Sequence, residues 1–337
     1  MKIKFFPAIL PLVCLLFLTQ CKPANKEYTF LEGKIFGTFY HVTYLHPKGI
    51  DLTKEIEERL KEFDASLSTF NPNSIISRIN RNDSDVNTDI FFEEMYSMSR
   101  QVSIKSNGAF DITVAPLVNA WGFGYGNHDT SLKPNLDTIM PYIGYQKIKL
   151  LNHKMIKDDP HIMIDASAVA KGQGSDVIAR LLEEYGCENY MVEIGGEIAC
   201  QGLNPKGEKW HIGIDKPDDD PADENKELQT IIAISNVGMA TSGNYRQFYF
   251  KDGKKYAHTI NPHSGYPVQH NLLSATVIAP TCMQADAYAT AFMVLGVDSS
   301  MSVCSTIPDM DCYLIYADKN GEYKTVYTKG FQKYLTE

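Results

Sequence analysis

The stretch "YMVEIGGEIACQG" (residues 190–202) reads as a strand of apolar and β-branched residues that runs into paired glycines, Gly195 and Gly196, and continues beyond them. Paired glycines after a strand mark a bulge or a turn, because glycine accepts the backbone angles that such a break needs. More strand-like runs follow closely: "WHIGID" (210–215), "TIIAISNVGMATSG" (230–243) and "SATVIAP" (274–280). A helical run, "CMQADAYATAFMVLG" (282–296), then precedes two final strands, "CYLIYAD" (312–318) and "YKTVYT" (323–328). Strands arriving in runs and mixed with a few helices indicate an α+β fold, not a regular βαβ winding.

Working outward, "KIFGTFYHVTYLH" (34–46) reads as one strand rich in aromatic and β-branched residues. In "TKEIEERLKEFDASLS" (53–68), Ile56, Leu60, Phe63 and Leu67 recur at helical spacing, with the charges on the other faces. That helix delivers the chain to a turn-rich loop, "LSTFNPNS" (67–74). A second helix is expected over about residues 90–106, stopped by Asn107-Gly108. The segment "GAFDITVAPLVNAWGFG" (108–124) is apolar but broken by Pro116 and a glycine cluster, as suits a segment that lines something. Asp165 is expected at the end of a strand in "HIMIDAS" (161–167). Beyond it, "AKGQGSDVIARLLEEYG" (170–186) sets Val177, Leu181, Leu182 and Tyr185 on one helical stripe, with Gly186 as its stop. No internal repeat is visible.

The 337 residues, 44% hydrophobic and 22% charged, have an ordinary globular composition, which excludes disorder and solenoids. The first residues, "MKIKFFPAILPLVCLLFLTQC", give a lysine-bearing start and an apolar run too short to span a membrane comfortably, then a cysteine. This has the look of a bacterial lipoprotein signal: residues 1–20 as signal peptide, Cys21 as the lipidated residue, 21–30 as tether and 31–337 as the working domain. Losing residues 1–20 removes Lys2 and Lys4, so the formal charge moves from -9 to -11, which argues against a nucleic-acid partner. Of seven cysteines, Cys187, Cys200, Cys282, Cys304 and Cys312 remain after Cys14 and Cys21 are set aside. Their scattered, odd number shows neither a disulfide framework nor metal-type spacing, and buried small apolar side chains are expected. The acidic run "KPDDDPADENKE" (216–227) lacks calcium-loop spacing and reads as a solvated surface insertion.

Three segments carry chemistry. In "QADAYATAF" (284–292), Asp286 and Thr290 are four residues apart on a helix, so their oxygens share one face. A carboxylate, a hydroxyl and backbone carbonyls suit magnesium, although on these residues alone a buried Asp capping a neighbouring element, with a Thr bonded to its own helix, is the default reading of the pair. In "IDASAVAKGQGSD" (164–176), small residues let a ligand approach the backbone, and Lys171 at a helix start can meet an anion. The Walker spacing is absent. In "KYAHTINPHSGYP" (255–267), two prolines and a Ser-Gly turn fix the backbone around His258.

Taken in order, "FGTFYHVTY", "LSTFNPNSIISRIN", "GAFDITVAPLVNAWGFG", "IDASAVAKGQGSD", "EIGGEIACQG", "ATSGNYRQFY", "HTINPHSGYP" and "QADAYATAF" resemble the FAD:protein FMN transferases of the ApbE family over nearly all of the mature chain. The resemblance implies one α+β domain, tunnelling-fold-like, with mixed sheets flanked by helices and an FAD cleft between the two halves of the chain. It implies FAD as substrate, Mg2+ at the diphosphate, and transfer of FMN to a Thr or Ser hydroxyl of an acceptor protein with release of AMP. Metal and positioning carry most of such a phosphoryl transfer. By similarity the metal is held by the Ala168 carbonyl and the side chains of Asp286 and Thr290. The implied FAD contacts are Phe36, Phe70, Ala109, Phe110, Asp111, Asp165, Lys171 and Ile260. The chain departs from the family's usual pattern with Phe36 where methionine is common and Asn261 where Asp precedes Pro.

His258 is implied near the flavin side of the diphosphate, fixed there by Pro262, Gly265 and Pro267, with His263 and His270 as exposed loop residues. It could accept the proton of the incoming hydroxyl or hold a phosphate oxygen, and both roles stay open. The lipid would hold the domain on a membrane facing the periplasm, beside acceptors that are redox-complex subunits. Two other activities fit the same motifs: hydrolysis of FAD to FMN and AMP, or FAD binding without turnover.

Overall fold

The computed structural model, which describes residues 27–124, 134–217, 227–244, 248–251 and 254–336, is built on an eight-stranded sheet. Its strands lie side by side in chain order: Thr29–Ile35, Thr38–Leu45, Asn189–Ile194, Glu197–Gln201, Val237–Gly243, Leu272–Ala279, Asp311–Ala317 and Tyr323–Tyr327. The α+β class is as expected, with one difference of detail. Strand directions are not mixed, and every pairing in the large sheet is antiparallel. Tight turns join several of these neighbours, and a short turn can only return the chain antiparallel.

Alternation along the strands sorts two cores. Ala199, Ala240, Ala275, Val277 and Leu314 face the main core with residues of the helices Thr53–Leu67, Ile90–Lys105, Ala170–Glu184 and Cys282–Leu295. Their neighbours Ile198, Met239, Ile278, Tyr313 and Ile315 face the other way, against Trp210, Ile214, Ile232 and Ile234 of the two-stranded sheet Trp210–Asp215 with Leu228–Ile234. Covered on both sides, Leu272–Ala279 is apolar almost throughout and buried at seven of eight positions. A third cluster, Leu117, Trp121, Ile143 and Ile260, lies apart from these two.

The Thr53–Leu67 helix buries Ile56, Leu60, Phe63 and Leu67 as its periodicity predicts. The Ile90–Lys105 helix begins at Asp89, whose carboxylate accepts from Phe92 N at 2.9 Å, and is followed by Asn107 and Gly108 at φ 52° and 79°. On the Ala170–Glu184 helix Tyr185 leaves the expected stripe, with 41% of its surface exposed just past the last turn. The strand read across 34–46 is instead a hairpin, Thr29–Ile35 with Thr38–Leu45, broken at Phe36 and Gly37. Both turn residues have positive φ, 51° and 74°, the requirement of a tight two-residue hairpin turn. The hairpin starts at Thr29, within the stretch read as tether.

Residues 162–166 join no strand; the Asp165 amide donates instead to Ile112 O at 2.7 Å. The hairpin Ile148–Leu151 with Lys154–Lys157 and the short helix Ile75–Asn80 were not anticipated. Cys187, Cys200, Cys282, Cys304 and Cys312 are buried free thiols, in line with their reading as small apolar side chains. Residues 1–26, with Cys21, lie outside the described residues, as does 218–226 of the acidic run. Among the described residues no helix is long and apolar enough to cross a membrane.

Candidate functional site

Two helices pack antiparallel, start beside start, at the site. Asp176 of the Ala170–Glu184 helix accepts from the amides of Cys282 and Met283, at 2.9 and 2.8 Å, in the first turn of the Cys282–Leu295 helix. In return Asp286 of that second helix accepts from the Gly172 amide at 3.0 Å, in the first turn of the first. Each helix thus satisfies amide groups that its partner's start leaves open. The approach is close enough that a Cβ on Gly172 would stand 2.5 Å from Cys282 O and 2.7 Å from Asp286 Cβ. Gly238 is needed for the same reason, since its Cβ would lie 2.1 Å from Cys282 N.

A cavity of about 810 Å3 opens over this junction. Its lining brings together all twelve residues singled out within the working domain: Phe36, Phe70, Ala109, Phe110, Asp111, Asp165, Ala168, Lys171, His258, Ile260, Asp286 and Thr290. They come from segments between residues 36 and 290, so the tertiary fold, not sequence proximity, assembles them. Phe36 reaches the wall from its left-handed turn position and packs edge-on against Phe63, with ring centroids 5.4 Å apart. A non-glycine residue held at positive φ is an uncommon feature that clusters at ligand sites. Phe70 stands 61% exposed beside it. Ala109 and Phe110 are 4% and 2% exposed, which leaves little of either side chain to present.

The carboxylate of Asp111 is already engaged. One oxygen accepts from the Thr113 amide and hydroxyl at 2.8 and 2.7 Å, the other from the Tyr145 amide at 2.8 Å. Burial nevertheless pushes its pKa up against those bonds. Asp165 likewise bonds the Ser167 amide at 2.8 Å, shaping the loop that carries Ala168.

The turn around His258 is built as its prolines and glycine suggest. Asn261 N donates to Tyr266 O at 2.9 Å, Gly265 N to Asn261 O at 2.8 Å, and the Asn261 side chain accepts from His263 N at 2.9 Å. Asn261 therefore serves the turn where the usual motif has Asp. Trp121 Nε1 clamps Gly265 O at 2.7 Å, and Gly265 sits at φ 73°. His258 is half-buried at the cavity wall, edge-on to Phe123 at 6.3 Å between centroids. His263 is exposed, as expected, yet its Nε2 pairs with Asn107 O at 2.8 Å and ties the turn to the end of the Ile90–Lys105 helix.

Two residues of the site were missed in the sequence. Glu197, 4% exposed, lines the cavity and pairs with the Lys171 ammonium. Ser242 Oγ lies 3.2 Å from Thr290 Oγ1 and adds a second hydroxyl. An acid directly after Gly195-Gly196, in a strand otherwise apolar around it, was the available signal for Glu197. Burial works against the charge on Lys171, but the neighbouring Glu197 and Asp286 carboxylates hold its pKa above the ordinary lysine range. Burial also raises Asp286, against the pull of Lys171 and the Gly172 amide. Glu197 is pushed up by burial, with Lys171 opposing and Asp286 adding to the rise.

Among the described residues no three His, Cys, Asp or Glu side chains gather as a ligand group. Around Asp286 the cavity offers a metal that carboxylate, the hydroxyls of Thr290 and Ser242, and the nearby Ala168 loop. Such a sparse hard-oxygen set suits magnesium, which keeps several waters and takes the rest of its shell from substrate phosphates.

Aromatic groups on the wall and a lysine among buried carboxylates at the helix junction define an α+β protein with a ligand-sized cavity that is apolar on one side and charged on the other. The chain belongs to the ApbE family, whose model matches residues 36–314. The FAD:protein FMN transferase of Haemophilus influenzae is 38% identical over 99% of both chains. That of Escherichia coli K12 is 34% identical over 98% of this chain and 97% of its own. The structure of the flavin transferase ApbE from Vibrio cholerae superposes with a TM-score of 0.80 at 33% identity, covering 92% of this chain and all of that one.

Proposed function

We propose that this chain is an FAD:protein FMN transferase that moves the FMN half of FAD onto a Thr or Ser hydroxyl of an acceptor protein. The observation that carries the reading is the assembly of the twelve residues, from segments far apart in sequence, around one cavity. Phe36 and Phe70 offer ring faces and edges to the planar parts of the dinucleotide. Lys171, at the start of a helix, meets the diphosphate, where the amide ends of the helix favour negative charge as well. The Ala168 carbonyl, Asp286 and Thr290 would hold Mg2+, which when bound neutralises charge on the diphosphate.

His258 stands at the wall held by the 258–267 turn and takes the proton of the acceptor hydroxyl. The hydroxyl oxygen bonds to the phosphorus on the FMN side. The bond from that phosphorus to the bridging oxygen breaks, and AMP leaves with the bridging oxygen. Cys21 carries lipid in this reading, placing the domain on a membrane facing the periplasm, beside acceptors that are redox-complex subunits.

The test is incubation of the purified protein with FAD, magnesium and a candidate acceptor domain. Flavin fluorescence that stays with the denatured acceptor, in step with AMP release, is the expected result. AMP with equivalent free FMN and no bound flavin would make the chain a hydrolase, and no AMP at all would make it a binder. For the anchor, Cys21→Ser should release the protein from the membrane fraction.

A further inference from the structure

Glu197 is the buried charged group that the proposed chemistry leaves without a task. It starts the Glu197–Gln201 strand directly after the Gly195-Gly196 turn, whose residues have φ 61° and 99°. Its main chain is tied to the Ala170–Glu184 helix, because Ser175 Oγ donates to Glu197 O at 2.9 Å. One carboxylate oxygen, Oε1, pairs with the Lys171 ammonium, itself on the first turn of that helix. The other, Oε2, is buried and has no hydrogen-bond partner. A buried, unpartnered carboxylate oxygen is expensive, of the order of 1–3 kcal/mol or more, and such atoms are rare in folded proteins.

We propose that Glu197 is a positioning residue for the transfer: it acts through Lys171, fixing the ammonium where the diphosphate of the substrate lies. The inference rests on the FAD reading of the cavity. Lysine carries a flexible four-carbon stem, so a fixed partner is what turns its charge into a directed contact. Held on one side by the 170–184 helix and on the other by the turn before Glu197, the ammonium has little freedom to follow a departing ligand. Gly195 completes the clamp: a Cβ there would come 3.0 Å from Thr38 Cγ2 and 3.2 Å from Lys171 Cδ.

A double-mutant cycle with Glu197→Gln and Lys171→Met tests this. Single-turnover FMN transfer and the dissociation constants of FAD and ADP are measured for wild type, both single variants and the double variant, with melting temperatures alongside. Glu197→Gln keeps the shape and is expected to slow transfer about 10- to 100-fold and to weaken FAD measurably. In the Lys171→Met background the same change should cost less than about 2-fold, because its effect runs through a lysine no longer present. Full additivity of the two losses, or wild-type transfer and affinity in Glu197→Gln, overturns the proposal. So does a loss that tracks the melting temperature and is recovered by lowering the assay temperature. ADP binding keeps the test separate from the transferase reading: if wild type releases no AMP from FAD, that reading fails, while the cycle on ADP affinity still reports whether Glu197 acts through Lys171.

Discussion

Replacing Asp286 separates two duties that the structure gives to one carboxylate. It caps the Ala170–Glu184 helix through the Gly172 amide at 3.0 Å, and it is the proposed anionic ligand of the metal. Asp286→Asn keeps an oxygen for the Gly172 amide and removes the charge. Since burial already raises the Asp286 pKa, the neutral side chain also escapes a desolvation cost, so the Asn variant should melt within a few degrees of wild type. Asp286→Ala removes the oxygen and leaves the Gly172 N–H buried beside the Cys282–Leu295 helix. A lost cap is worth about 1 kcal/mol and an orphaned buried donor about 1–3 kcal/mol. At roughly 2–4 °C per kcal/mol for a large domain, a loss of about 2 kcal/mol corresponds to a drop of roughly 4–8 °C. Both variants should lose magnesium affinity and turnover alike. Calorimetry gives the melting temperatures, and titration of Mg2+ in the presence of ADP gives metal binding without turnover. If the Asn variant melted as low as the Ala variant, the Gly172 bond would be contributing nothing; if either kept full transfer at low magnesium, the metal assignment would be wrong.

His258→Asn should lose about 10²–10⁴-fold in single-turnover transfer with little change in FAD affinity if the ring is the base; equal losses in both would make it a phosphate holder. Gly172→Ala forces a methyl to within 2.5 Å of Cys282 O, backbone that cannot swing aside, so it should cost about 1–3 kcal/mol in urea unfolding and weaken magnesium as Asp286 recoils. A variant as stable as wild type would mean that the two helix ends part freely. Asp176 is pushed up to about 6 by burial, against the Met283 and Cys282 amides and Arg180 and with the Glu94 charge adding to the rise. The folded chain therefore holds a proton that the unfolded chain releases near 3.8, a contribution present below about pH 4 and lost as pH rises through about 6. The stability of Asp176→Asn relative to wild type should thus improve between pH 4 and 7, measured as urea midpoints; a pH-independent difference counts against the buried-acid account.

Local periodicity was legible where one face of an element decides its place. Ile56, Leu60, Phe63 and Leu67 announce the 53–67 helix because only that stripe meets the core. The prolines and glycine of "HTINPHSGYP" announce the turn because each restricts or frees the backbone by itself. The turn at Phe36 and Gly37 stayed hidden because phenylalanine at φ 51° runs against its own preference, and hairpin pairing on both sides overrides it. Glu197 and Lys171 are 26 residues apart and Asp176 and Cys282 are 106, distances over which spacing says nothing. The roles of the cavity residues came from resemblance to a family, not from the physics of any one segment.

The reciprocal caps explain why the site stands where it does. A helix start needs acceptors for its open amides and favours negative charge. Bringing two starts together lets Asp176 and Asp286 each satisfy the other helix, at the cost of burying two carboxylates. Lys171 offsets part of that charge, and it can do so only because it lies on the first turn of the same helix. The Asp286 carboxylate and the Lys171 ammonium beside this junction are also the groups proposed to hold the metal and to meet the diphosphate. Stability and activity are accordingly bound to the same few atoms: moving Asp286, Lys171 or Gly172 alters both the helix junction and the cavity above it, whereas a change on the distant face, in the core around Trp210 and Ile232, should alter stability alone.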